Sequence, residues 1–316
     1  MPRKVIIDCD PGIDDAVALC LALFDPRLEV VAVTATAGNV DAHQSSRNVQ
    51  RILELLDPPR WPRVGVARQD TATPGDRRQL NGADGLGNLD TRISELHHTR
   101  TSDKVISDEI RHAPGKITIV ALGPLTNIAR AISADPDLTT MIDQLIIAGG
   151  TLTANGDVSP TAEFNFHSDP LAARTMLRSP ITKTLVPRDV ASRLMLTLDF
   201  LDDLPDDSSR AGSIMRHVLA FLYRTYRQHL GLEGITLTKA VALVSCLNSE
   251  LFESQEMAGD VEVTGELTRG MTVYDRRSPR EWRNNMDVVT QFDAVEVRAA
   301  ILRGIRYAAQ ESKPST

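Results

Sequence analysis

The residues best suited to chemistry lie near the start of the chain. Positions 8–15 read DCDPGIDD, four carboxylates in eight residues. Asp8 and Asp10 are two apart at the end of an apolar run, so on an extended chain they point to the same side. Pro11-Gly12 turns the chain, and Asp14 and Asp15 fall in the first turn of the helical pattern that follows. Carboxylates this close repel one another unless a cation or shared protons relieve them. One or two could cap a helix or complement its dipole, but four exceed that need. Two readings stand: an acidic helix start on the surface, or a cation site with a general base, since hard cations such as Ca²⁺ or Mg²⁺ take oxygen ligands.

Those carboxylates must be held by the elements around them. KVIIDC (4–9), LEVVAVTA (28–35), ITIVAL (117–122), QLIIAG (144–149) and ITKTLV (181–186) read as buried strands, β-branched and bounded by Gly, Pro or Asp. Between them, 14–24, 41–56, 103–112, 125–133 and 169–178 carry a 3.6-residue apolar period. The alternation predicts an α/β domain over 1–312 with a mostly parallel central sheet and helices on both faces. A helical excursion is expected over 198–235 with its helix around Ile214–Tyr226, then a helix over Lys239–Cys246, short strands at 260–264 and 286–290, and a closing helix at 291–307. Residues 313–316 read as a frayed tail. Ligands of such sheets sit beyond the C-terminal ends of the strands, and DCDPGIDD follows the first of them.

Composition narrows the function further. The 316 residues carry 35 Lys+Arg against 42 Asp+Glu, a formal charge of −7, with 42% hydrophobic, 24% charged and 4% aromatic residues. That fits a folded globular protein and gives no basic footprint for nucleic acid. No apolar run approaches the ~20 residues of a transmembrane helix. The absence of a signal-like N-terminus and the three unrelated cysteines (Cys9, Cys20, Cys246) lead us to expect a cytoplasmic protein with reduced thiols.

The run DCDPGIDD resembles the hallmark D-x-D-P-G-x-D-D of the inosine–uridine nucleoside hydrolases, or nucleoside N-ribohydrolases. The likeness continues through TAGNV (36–40), NGADGLG (81–87), ALGPLTNIA (121–129), IIAGG (146–150) and GDVSPTAEFNFHSDPLAA (156–173), in the family's order. The resemblance implies hydrolysis of the N-glycosidic bond of a ribonucleoside or related riboside, a small-molecule partner, and a homodimer or homotetramer. It also implies Ca²⁺ held by Asp10, Asp15 and the main-chain carbonyl of Thr126. Asp10 would be the base nearest the water, Asp14 would grip a ribose hydroxyl, and Asn39, Glu163 and Asn165 would hold the remaining sugar hydroxyls. The chemistry agrees: carboxylates stabilise an oxocarbenium-like centre, and a base beside a cation removes a proton from water. Glu163-Phe164-Asn165 is expected to present its polar side chains from one extended stretch.

Four positions depart from the family's pattern. Registering GITLTKAVALVSCLNSELF (234–252) on its C-terminal His-Asp motif puts Thr238 at the His and Lys239 at the Asp. An extended Lys spans roughly 6 Å, the distance at which a metal bound by an Asp would lie from its Cα. The Lys239 ammonium is therefore expected to stand in the metal's place with Asp10 and Asp15 as counter-ions and no cofactor; the alternative is a surface lysine turned to solvent, with Ca²⁺ retained through other ligands. The Asn that meets the ribose 5′-hydroxyl in the family is Asp157, expected to repel a 5′-phosphate unless it pairs with a cation. The family's His before Gly-x-Asp-Gly-Leu-Gly is Asn81. With no His at 238, protonation of the leaving base falls to His229, Tyr223, Tyr226 or His217.

Two other functions fit parts of this pattern. The changes at 239 and 157 suit a binding protein on a degraded hydrolase scaffold. A D-x-D after an apolar strand also occurs in phosphohydrolases of the haloacid-dehalogenase type, although these continue with Gly-Thr or Gly-Val rather than with Pro-Gly-Ile-Asp-Asp.

Overall fold

The computed structural model describes residues 1–69, 76–89, 100–153 and 155–312. The expected tail at 313–316 lies outside the described residues. The strands are β1 (Arg3–Cys9), β2 (Leu28–Ala35), β3 (Arg63–Gly65), β4 (Ile117–Ala121), β5 (Ile142–Ala148), β6 (Lys183–Val186), β7 (Met195–Thr197), β8 (Gly234–Thr236), β9 (Phe252–Met257), β10 (Gly259–Val261), β11 (Thr272–Tyr274) and β12 (Met286–Phe292). The helices are α1 (Ile13–Phe24), α2 (Ala42–Leu56), α3 (Arg78–Asn81), α4 (Ser102–His112), α5 (Thr126–Ala134), α6 (Phe164–Ser168), α7 (Pro170–Arg178), α8 (Arg188–Ala191), α9 (Arg210–Thr225), α10 (Thr238–Leu247) and α11 (Ala294–Glu311).

Eight strands form one sheet in the order β3-β2-β1-β4-β5-β6-β12-β9, and every pairing is parallel except β12 with β9. The chain runs outward from β1 to β3, returns to lay β4 against the other side of β1, and then continues outward. The reversal between β1 and β4 opens a crevice at their C-terminal ends, where ligands of open α/β sheets bind. One face is covered by α1, α2, α9, α10 and α11, whose Val17, Leu53, Leu219, Val241 and Ile301 are fully buried in one cluster. The other is covered by α4, α5 and α7 through Ile106, Ile128 and Met176.

The strands that sequence patterning misses are those with the weakest signal. β3, β7, β8 and β11 are three residues long, as is β10, which overlaps the strand expected at 260–264. β9, FESQEM, is a mostly exposed edge strand, where charge blunts pairing with other chains. The expected extended stretch at 163–165 needs correcting. Glu163 instead caps α6, its side chain accepting from the Phe166 amide, and Phe164 and Asn165 lie inside the helix.

Phe166 is fully buried, its ring packed where Cβ atoms on Gly149 and Gly150 would stand 2.9 Å from it. Gly150 also has φ +61°, which suits glycine. Phe166→Ala is expected to cost about 3–5 kcal/mol in denaturant unfolding. Leu171→Ala, 62% exposed on the same segment, should stay within about 0.5 kcal/mol.

Candidate active site

Asp10 leaves the end of β1 and is fully buried at the crevice. Its Oδ2 accepts the Asn39 amide at 2.9 Å, and the Asn39 side chain donates back to the Asp10 carbonyl at 2.6 Å. Gly38 permits this closeness, since a Cβ there would stand 2.2 Å from Asp10 Oδ2. Asp15, on the first turn of α1, accepts from the Gly12 amide at 3.2 Å through Oδ2 and is also fully buried. Its Oδ1 is buried without a hydrogen bond among the described residues.

Lys239 enters from the start of α10. Its Nζ lies 2.9 Å from Asp10 Oδ1 and 3.7 Å from Asp15 Oδ1, and it also donates to the Leu122 carbonyl just beyond β4. The ammonium thus bridges the two strands that diverge at the crevice. Burial alone would lower its pKa, but Asp10 and Asp15 outweigh that and hold it charged. Burial raises Asp15, against the downward pull of Lys239.

Asp14 sets the position of the lysine. α10 has no capping side chain of its own. Asp14 takes that role from α1, accepting the Lys239 amide at 2.9 Å and the Thr238 hydroxyl at 3.2 Å through Oδ2, and the Ala240 amide at 3.2 Å through Oδ1. Burial pushes the Asp14 pKa up to about 6. Asp8 is turned elsewhere: its Oδ1 accepts from Thr34 and Asn127, and burial raises it to about 7.

A cavity of about 690 Å³ is lined by residues that include Asp14, Asp15, Asn39, Asp157, Glu163, Asn165 and Lys239, while Asp10 lies outside that lining, buried beneath the Lys239 ammonium it pairs with. Asn165 donates to the carbonyls of Leu122 and Ala148, while its Oδ1 is buried without a partner among the described residues. Glu163 Oε2 accepts the Gly150 and Phe166 amides at 3.0 and 3.1 Å, and burial lifts its pKa to about 7. Thr126 begins α5 outside that lining, its hydroxyl donating to Asp169 at 2.7 Å. Asn81 lines the cavity and caps the start of α1, accepting the Ile13 amide at 3.0 Å.

Of the four candidate acids, two reach the cavity. Tyr226 and His229 line it, whereas the Tyr223 hydroxyl donates to the Leu196 and Thr197 carbonyls and His217 faces the Gly87 carbonyl. Burial raises the Tyr226 hydroxyl above its usual range. Asp157 pairs with cations, the alternative to repelling a 5′-phosphate: its Oδ2 is shared by Arg77 at 2.6 Å and Arg188 at 3.2 Å. Neither arginine was singled out from the sequence, although Arg188 follows β6 by two residues at the strand end where ligands gather.

Residues 5–299 match the family described as inosine-uridine preferring nucleoside hydrolase. The chain belongs to the nucleoside hydrolase family. It is 35% identical over 87% of its length to the non-specific ribonucleoside hydrolase RihC of Shigella boydii serotype 18, covering 89% of that protein. It is 32% identical to RihC of Escherichia coli O7:K1, over 93% of this chain and 95% of the other. Among solved structures, the plant nucleoside hydrolase PpNRh1 matches with a TM-score of 0.87 at 30% identity, over 96% of this chain and 99% of that one. The purine-preferring ribonucleoside hydrolase from Gardnerella vaginalis gives 0.87 at 27%, over 98% and 99%. The family and these relatives support N-ribohydrolase activity, cleavage of the N-glycosidic bond.

Calcium dependence is typical of this family. Here the two carboxylates implied as its ligands face an ammonium, and a divalent ion between them would meet that charge within a few ångströms. These residues do not fit the ion. Among the described residues there is no group of three or more His, Cys, Asp or Glu side chains able to hold a metal. Removing the amine by Lys239→Met should expose two buried carboxylates to each other and cost about 3–5 kcal/mol. The cost has a defined pH dependence. A carboxylate with a raised folded pKa destabilises increasingly as pH climbs from its unfolded value through its folded one. The deficit against wild type in thermal unfolding should therefore be larger at pH 8 than at pH 5.

Proposed function

We propose that this nucleoside hydrolase cleaves ribosides with the Lys239 ammonium as the fixed cation of its site and Asp10 as the base that takes a proton from the attacking water. The observation that supports this most directly is the ammonium held between Asp10 and Asp15 at the crevice. Formal charge supports it as well. Three carboxylates around a divalent ion carry one net negative charge, and so do two carboxylates around an ammonium. Exchanging a ligand Asp for Lys239 and dispensing with the ion together leave the formal net charge of the cluster unchanged.

The step then follows from this chain's own groups. Asp14 and Asp15 face the ribose diol, with the ammonium's remaining proton available to one hydroxyl. Asn165 Oδ1 and Glu163 hold other hydroxyls of the sugar. Water attacks C1′ as the bond to the base nitrogen breaks, its proton passing to Asp10. The surrounding carboxylates favour the positive charge that develops on the ribosyl ring. A single positive charge polarises water less than a divalent ion does, so removal of the proton rests chiefly on Asp10.

The departing base leaves toward Tyr226 and His229. Between these, His229 takes the role of acid: its ring is held by Gln79 at 3.0 Å from Nδ1, whereas burial raises the Tyr226 hydroxyl. Ribose release is to be measured with uridine, inosine and p-nitrophenyl riboside, whose nitrophenolate needs no proton to depart. Asp10→Asn should lower kcat about 10³-fold on all three. His229→Ala should lower kcat about 10²-fold on the nucleosides and little on the nitrophenyl riboside. Equal losses on all three substrates would remove His229 from this role, and full activity in Asp10→Asn would contradict the assignment of the base.

A further inference from the structure

The cavity has two unlike walls. Leu222, Tyr226, Leu230 and Leu232 form an apolar side with one aromatic ring, which suits the face of a base. The other exocyclic carbon substituent of a riboside is the one at C4′, and the lining also holds an ionic group of Asp157, Arg77 and Arg188. Asp157 has little left to offer a substrate. Its Oδ1 accepts the Phe164 amide at 3.0 Å, and its Oδ2 is shared between the guanidinium groups of Arg77 and Arg188. The arginines are less committed. Among the described residues, the side-chain bonds of Arg77 and Arg188 run to this one oxygen, out of five N–H donors on each guanidinium. Arg77 is braced with its guanidinium carbon 4.2 Å from the centre of the Phe164 ring, which fixes the fork.

Two guanidinium groups converge on one carboxylate oxygen beside the place where C5′ must lie, with Glu163 the next carboxylate acting on Arg77. A neutral hydroxymethyl group would leave most of their donors unused. A phosphate would engage them with oxygens in the geometry that forked arginines favour. We infer that the Arg77–Asp157–Arg188 wall is a 5′-phosphate subsite, and that ribonucleoside 5′-monophosphates are substrates. This rests on the N-ribosyl hydrolase reading. The reaction is the same hydrolysis: the C1′–N bond breaks, the bond from water oxygen to C1′ forms, one water proton goes to Asp10 and the base leaves protonated. The products are ribose 5-phosphate and free base. The phosphate ester is untouched.

The test compares kcat/KM for uridine 5′-monophosphate and inosine 5′-monophosphate with that for uridine and inosine, at low and moderate salt. Two charge-assisted hydrogen bonds to phosphate predict a preference of about tenfold to a hundredfold for the monophosphates, declining as salt rises. Arg188→Gln should reduce that ratio about tenfold or more. Wild-type protein alone gives a second readout, in which ribose 5-phosphate inhibits at least tenfold more strongly than ribose. Hydrolysis of the nucleosides without the monophosphates, or equal inhibition by the two sugars, would overturn the phosphate subsite and leave the hydrolase reading intact. Failure to cleave any of the four substrates would overturn the hydrolase reading instead.

Discussion

A lysine amine buried against two aspartates, at the point where a parallel sheet reverses its strand order, constrains most of what surrounds it. At 2.9 Å and an effective dielectric of about 20, the Lys239–Asp10 attraction is about 6 kcal/mol before desolvation is counted. Burying these charges is tolerable only while each keeps its partner. The neighbours therefore serve the pair. Asn39 and Gly38 fix Asp10, Gly12 fixes Asp15, and Asp14 caps α10 so that Lys239 starts its reach from one defined place. The Leu122 carbonyl anchors the ammonium to the other side of the crevice.

This arrangement separates the four early carboxylates into different tasks. Asp8 stays below the site, bonded to Thr34 and Asn127. Asp14 both caps a helix and lines the cavity. Asp10 and Asp15 share the cation. On the far side, Glu163 is held in place by backbone amides, and Asn165 by the carbonyls it donates to. Rigid support of this kind is what preorganised electrostatic catalysis requires, because the groups need not reorganise as charge develops on the sugar.

Much of this was legible from the chain. The central strands are apolar enough to read directly, and the run DCDPGIDD carries its own turn and charge. Lys239 was legible because register on the family's motif puts it at a ligand position and its reach then brings the amine to Asp10 and Asp15; the contact at 2.9 Å agrees. What escaped depended on tertiary neighbours. Asp157 reads as repulsive in isolation, and only folding brings Arg77, 80 residues earlier, against it. The Leu122 carbonyl is main chain and leaves no mark on residue type. Glu163-Phe164-Asn165 has no local feature that separates an extended run from one capped helical turn, and the choice is made by the Phe166 amide turning back to Glu163.

The claim on which the account stands is that a covalently tethered charge does the work of a bound ion. It is tested most directly by dialysing the wild-type enzyme exhaustively against a calcium chelator, measuring its calcium content by atomic emission, and following ribose release from the same sample. The account predicts undiminished turnover with far less than one calcium per chain and no response to added Ca²⁺. Loss of turnover on chelation, restored by Ca²⁺ together with uptake of about one ion per chain, would contradict it.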